Sequence, residues 1–473
     1  MPGVPFGTPG IRIIRHCEHN LIAKMNRRIN MNGETLAAPR KHKRVASVEF
    51  WRFVFTVLVS LYHYEIFFPK RKLFLSGSSA VEFFFVLAGF TIAMAAAHKR
   101  ESGGEPCTTR QAHLAAIDFI KKKIIAIWPV LLIWAIIYVA TVDTTMLFGK
   151  TLLDVILNLE WELLFLVGTP FGFNYGFAPN MPLWFLTCLM VMGYIYTFAI
   201  NRYYDFTRFA APVIGIFLYI LFGLETTSTL DHNIQVGLST AGMVKGAAEM
   251  ALGISMFQVY ESLSKKEFTI SMRVITAIIE IFAIIRLYQL IIGAMVSMDN
   301  YRRIIYIMII VVTSFLNVTP LSRILDNKFS ILLGKISLPM YITHYTLINF
   351  LMAKLMMWKG ELMMKMGYSK SAEMLYNFLK GTGGYDEKFR QIPMSFKDAA
   401  IYLILVIAVA IVITLVIELG KRAYRDIKKT LAENKAAEEA RKLEEAQRMA
   451  NITGRSVEEI LAGALDKDDA AKK

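Results

Sequence analysis

Arg52 and His63 stand eleven positions apart in VEFWRFVFTVLVSLYHYEIFF, the run from Val48 to Phe68 that is otherwise mostly apolar and aromatic. At 100° per residue, eleven steps return to within about 20° of the starting face. Both side chains therefore share one stripe, roughly 16 Å apart along the axis. Charged or titratable groups at membrane depth are costly, and they face a bundle interior or a water-filled cavity. A guanidinium suits phosphate or carboxylate, while an imidazole titrates in the physiological range and serves as general acid or base. The plainer reading is an arginine snorkelling to the inner interface and a hydrogen-bonded core histidine.

Other residues could add to that chemistry. Glu82 opens VEFFFVLAGF, where a carboxylate could stay ionised at the interface, orient a histidine or pair with a loop lysine, and Gly89 in the same stretch permits close helix approach. Lys122 and Lys123 lie in FIKKKIIAIWPV, at the entrance of an apolar run, and suit phosphate as point charges or serve as ordinary interface anchors. Trp184 in PLWFL follows a first-turn proline and fits an interfacial belt or a substrate contact. His344 ends GKISLPMYITH beyond a proline kink, as a packing histidine or a second group at the site.

The elements that position these residues are apolar helices. The chain has 473 residues, 55% hydrophobic and 19% charged, and a mean hydropathy of +0.44. Runs of about 20 apolar residues recur along most of it, which marks an all-α integral membrane protein. Ten transmembrane helices are expected, near 48–68, 79–97, 124–142, 181–200, 209–224, 238–257, 274–298, 304–319, 330–353 and 399–419. Lys245 and Glu249, at i and i+4 in the sixth, are expected to pair inside the membrane.

Residues 1–47 form a basic tail without the apolar core of a signal peptide, and residues 421–473 form a charged, Ala- and Glu-rich helical tail. Between them lies the membrane domain of residues 48–420, with 354–398 as an external segment. The short inner loops carry more Lys and Arg than the outer ones, which places the amino and carboxyl termini in the cytoplasm. The same rule explains most of the net charge of +15, so nucleic acid is not expected as a partner. Cys17, Cys107 and Cys188 show neither metal-ligand spacing nor a disulfide framework, and no metal is expected. Ser456 and Glu459 read as a capping box for a last short helix.

The order of these stretches resembles the type 3 family of membrane-bound acyltransferases, the integral membrane proteins that O-acylate bacterial surface and exported polysaccharides. Arg52 and His63 spaced R-x10-H, then VEFFFVLAGF, a basic stretch before Pro129, PLWFL and GKISLPMYITH carry the likeness, over about residues 45–420. It differs in having Ala88 where the family commonly has serine. It also has Lys122, Lys123 and Ala126 where the family tends to have arginines. The resemblance implies an essential Arg52–His63 pair with Glu82 beside it and acyl-CoA, acetyl-CoA first, as donor. It also implies a carbohydrate or glycolipid acceptor and a multi-pass protein of the bacterial inner membrane. His63 would be the general base; Arg52, Lys122 and Lys123 would meet the donor phosphates; Trp184 and His344 would line the acceptor side. A homo-oligomer or polysaccharide-export machinery would complete its partners.

Two rival readings stand beside it. A secondary transporter would string Arg52, His63, Lys245, Glu249, Glu280 and Arg286 into a proton or substrate path, yet no half-to-half repeat of interrupted helices accompanies them. A membrane scaffold acting through its charged tail would leave the Arg52–His63 stripe unexplained.

Overall fold

The computed structural model describes residues 44–67, 76–102, 107–141, 159–167, 180–225, 239–293, 299–348 and 396–454, with a few isolated positions between them. The basic amino-terminal tail, nearly all of the 354–398 segment and most of the 456–459 capping box lie outside the described residues.

Ten helices of 18 residues or more stand among the described residues. They are α1 (Ala46–Phe67), α2 (Ala80–Glu101), α3 (Thr109–Thr141), α4 (Trp184–Arg202) and α5 (Tyr204–Glu225), then α6 (Ala241–Ser264), α7 (Ile270–Ile292), α8 (Asp299–Leu316), α9 (Lys328–Leu347) and α10 (Phe396–Thr453). The described extended structure is one antiparallel pair of two-residue strands, Gln235–Val236 with Ser239–Thr240. Side-chain caps start several helices: Thr240 accepts from the Met243 N–H, Thr269 from Met272 and Asn327 from Ser330. α10 continues unbroken for 58 residues from the apolar stretch into the charged tail, and ends where Gly454 turns to φ +67°.

Six of these helices are long and apolar enough to cross a membrane: α2 to α5, α7 and α10. The other four, α1, α6, α8 and α9, carry Arg52 and His63, Lys245 and Glu249, Arg303, and His344. Buried carboxyl groups are found on the apolar spans too, Glu82 on α2 and Glu280 on α7. Ile136 on α3 and Phe217 on α5 are 69% and 64% exposed, whereas Glu82, Glu249, Arg303 and His344 are fully buried. Apolar residues outside and charges inside describe a bundle whose solvent is hydrocarbon.

Glycines set the closest packing. A Cβ on Gly89 of α2 would lie 1.9 Å from the Met250 carbonyl oxygen of α6, and one on Gly253 of α6 would lie 2.1 Å from that of Val86. The two backbones therefore touch, the close approach expected at Gly89. Contacts advance together along both chains, from Glu82 with Lys245 to Val86 with Gly253, so α2 and α6 run parallel. α1 and α9 are parallel too. Glu49 packs over Gly334 at their starts and His63 meets His344 towards their ends. α9 contains Pro339, one turn before His344, and Thr343 returns a hydroxyl hydrogen bond to the Pro339 carbonyl.

Candidate active site

His63 and His344 come together between α1 and α9. His344 Nε2 lies 3.0 Å from His63 Nδ1, with ring centroids 5.0 Å apart. Backbone carbonyls assign the protons, because a carbonyl can only accept. His344 Nδ1 lies 2.6 Å from the Tyr341 carbonyl and must donate to it, which leaves His344 Nε2 as the unprotonated nitrogen. His63 Nδ1 lies 2.9 Å from the Val59 carbonyl, so its proton is held between that oxygen and His344 Nε2. In neutral His63 the lone pair then sits on Nε2. Tyr62 and Tyr345 stand edge-on to the His63 ring, and the Tyr402 hydroxyl of α10 donates to the His344 carbonyl at 3.1 Å.

Nearer the start of the same helix, Arg52 Nη1 is bridged to Glu49 Oε2 at 2.8 Å, three residues earlier. The Lys123 ammonium of α3 lies close enough to feel the Arg52 charge. Two cations on different helices therefore lie within electrostatic reach of each other. Lys122 does not join them. It points outward and pairs with Asp118 at 2.6 Å, with its side chain 75% exposed. One residue along a helix is a 100° rotation, so only one of two adjacent lysines can face the site.

Glu82 is placed elsewhere. Its Oε1 lies 2.7 Å from Lys245 Nζ, and Lys245 also reaches Glu249 Oε1 at 3.7 Å, the expected i,i+4 pair. The Tyr219 ring of α5 lies in the electrostatic field of both carboxylates, and Arg303 of α8 lies in that of Glu249. Two carboxylates and two cations thus share one dry interior between α2, α5, α6 and α8. Glu280 accepts from the Thr313 hydroxyl at 3.0 Å, and Arg286 donates to Gln289 at 2.6 Å on an exposed face. Trp184 packs its ring 6.0 Å from Phe85 at the start of α4.

Several residues at the site carry no motif of their own. The short helix Glu160–Leu163 buries Glu162, whose Oε1 accepts from the Asn180 N–H at 3.2 Å. Burial pushes that carboxyl up to about 7. Asn180 in turn donates from Nδ2 to the Ile342 carbonyl at 2.6 Å, and the Tyr341 hydroxyl donates to the Pro182 carbonyl. Trp134 donates from Nε1 to the Thr346 hydroxyl at 2.8 Å. The turn before PLWFL and helix α3 are thereby clamped to the stretch of α9 that carries His344. Glu49 was discoverable from its i,i+3 spacing to Arg52; Glu162 and Asn180 were not, because their partners are distant in sequence. Among the described residues no three His, Cys, Asp or Glu side chains gather into a metal-binding group.

A family model described as an acyltransferase domain matches residues 45–419, from the start of α1 into the apolar half of α10. No curated protein and no solved structure matches the chain.

Proposed function

The chain belongs to the type 3 acyltransferase family, and we propose that it moves an acyl group, acetyl first, from cytoplasmic acyl-CoA to a hydroxyl of an exported or cell-surface carbohydrate. The observation that carries the reading is the His63–His344 pair. His344, anchored through Nδ1 on the Tyr341 carbonyl, accepts the Nδ1 proton of His63 and so directs the basic lone pair to His63 Nε2. That is the arrangement a general base needs, with a second group fixing its tautomer and orientation.

The reaction then runs without a protein nucleophile. His63 Nε2 takes the proton of the acceptor hydroxyl as its oxygen bonds to the thioester carbonyl carbon. The tetrahedral intermediate collapses, the C–S bond breaks, and the departing thiolate of CoA takes the proton back from His63. Arg52 and Lys123 supply the positive charge for the donor's phosphates, with Glu49 holding the Arg52 guanidinium in place. Lys122, paired outward with Asp118, contributes to the electrostatics of that face without touching the donor. His344 positions His63, and Trp184 lies on the acceptor side. Glu82 keeps Lys245 neutralised in the interior and holds α2 against α6.

Parallel pairing of α1 with α9, and of α2 with α6, fits ten alternating crossings, and the Lys- and Arg-rich inner loops are what put both termini on the cytoplasmic side. In that alternation each of these pairs shares a direction. The donor end of α1 then faces the cytoplasm and His63 lies deeper, so the acyl group travels inside the protein towards the outer face. Labelled acetyl-CoA, membrane glycan extracts and the full chain in nanodiscs test the reading. Glycan labelling and CoA release that vanish in His63→Ala support it; wild type that consumes no acyl-CoA of any chain length sinks it.

A further inference from the structure

A cavity of about 270 Å³ lies where α2 ends and α4 turns into α5. It is at the opposite end of the bundle from His63, because α2 starts beside Tyr62, where Gly77 packs, and runs away from it. Its wall is cationic and aromatic. Arg100 and Arg208 both stack on the Tyr204 ring, at 4.4 and 5.0 Å, and each has its own carboxylate, Asp205 at 3.1 Å and Glu261 at 2.5 Å. Arg100 on the cavity wall and Arg208 behind Tyr204 are thus each charge-balanced.

Two further cations line the cavity without a carboxylate among the described residues. Lys99 Nζ lies 3.0 Å from Cys107 Sγ, and Arg202 donates from Nε to the Thr109 hydroxyl at 3.2 Å. An ammonium and a guanidinium facing one concave space, where the carboxylate among the described lining residues, Asp205, is already paired with Arg100, suit a phosphate ester. The rim adds a second feature. Phe206 borders the cavity and is exposed, and Phe209, Val213 and Phe217 continue that exposed apolar strip up α5. A free phosphate or a nucleotide would have no use for such a strip, whereas a lipid would lay its acyl chains along it.

We infer that this cavity holds the headgroup phosphate of an anionic phospholipid between Lys99 and Arg202, with the acyl chains against Phe206, Phe209, Val213 and Phe217. Basic pockets between helices on the cytoplasmic side are where such headgroups bind. The site is separate from the acyl-transfer chemistry and would seat the α2, α4 and α5 ends in the inner leaflet.

Native mass spectrometry of the full-length protein, titrated with dioleoylphosphatidylglycerol and with the phosphatidylcholine of the same chains, tests it. Wild type should retain phosphatidylglycerol roughly tenfold more tightly. The double variant Lys99→Gln with Arg202→Gln should lose that preference while keeping wild-type CoA release. Equal retention of the two lipids by wild type, or an unchanged preference in the variant, overturns the inference. Should the variant fail to fold, competition on wild type decides. Displacement of the lipid by millimolar inorganic phosphate or by coenzyme A would reassign the pocket to a soluble phosphate and overturn it; persistence of the lipid supports it.

Discussion

His344 Nε2 approaches His63 Nδ1 to 3.0 Å across 281 positions of sequence, and the two rings are held by carbonyls of their own helices. The pair is directional. His344 can accept only through Nε2, so it fixes which nitrogen of His63 carries the proton. A lone histidine on α1 would lose that definition.

The first prediction concerns this direction. His344→Ala should lower kcat for CoA release roughly 10²- to 10³-fold and leave KM for acyl-CoA within about threefold, the pattern of a group that positions a base. His344→Gln should recover part of the loss, because its side-chain oxygen can accept from Nδ1 of His63. Steady-state kinetics in nanodiscs reads both. A rise in the acceptor KM at unchanged kcat would instead make His344 a substrate-binding residue.

The second separates two adjacent lysines. Lys123→Ala and Arg52→Ala should each raise KM for acyl-CoA about tenfold or more, since the two cations lie within electrostatic reach of each other. Lys122→Ala, already paired with Asp118 and largely exposed, should change it less than about twofold. Equal effects of the two lysine variants would place the donor phosphates outside the bundle.

What the sequence made legible was whatever is local. Arg52 and His63 share a stripe because helical geometry alone relates residues eleven apart, and Lys245 with Glu249 follows from i,i+4 spacing. Each of the ten long described helices overlaps an expected apolar run, and six of them are long and apolar enough to cross a membrane. Their bounds differ in places: α3 starts 15 residues before the expected 124, and α10 extends 34 residues beyond the expected end at 419, through a tail whose own composition is helical. Contacts between distant helices were not legible. The expected partner of Glu82 was a histidine or a loop lysine, and the partner found is Lys245 on α6. The choice between Lys122 and Lys123 depends on which side of α3 packs, and a basic run does not encode that. Glu162 lies in a short helix and Asn180 at the end of a Gly-, Pro- and Asn-rich run, both in the connection from α3 to α4, and their role appears only once Ile342 lies beside Asn180.

Helix packing gives the third prediction. Gly253→Ala puts a methyl group about where the Val86 carbonyl oxygen stands, and backbone rather than a flexible side chain is what would have to move. The cost should fall at or above the upper end of the ~1–3 kcal/mol usual for overpacking. Thermal unfolding in detergent should show a clear drop in midpoint. Gly420→Ala, with nothing near its added carbon, should show none.

The fourth uses pH. Burial raises the Glu162 carboxyl from its ordinary 4.5 to about 7, against a smaller opposing effect of the Asn180 N–H, with Tyr138 of α3 facing it. The folded state therefore holds this proton more tightly than the unfolded chain does. Its contribution is fully present below about 4.5 and is lost as pH rises through 7, by about 3 kcal/mol at 1.36 kcal/mol per unit. Melting midpoints measured from pH 5 to pH 8 should fall in wild type and fall less in Glu162→Gln. Parallel curves would mean that the carboxyl is not proton-bound in the folded protein.

The last prediction asks whether Glu82 takes part in chemistry or only in structure. It sits with Lys245 and Glu249, closed to solvent between α2 and α6. Removing one member leaves an uncompensated buried charge, so Glu82→Ala should destabilise by about 3–5 kcal/mol and lower the yield of folded protein. Removing a matched pair does not. Glu82→Gln combined with Lys245→Met should therefore fold better than either single change, because neither partner of the 2.7 Å ion pair is left as a lone buried charge. Activity in that double variant then decides the role. CoA release within about tenfold of wild type would confine Glu82 to holding α2 and α6 together. A folded double variant as inactive as His63→Ala would mean that the carboxylate, or the lysine it holds, reaches the reacting groups.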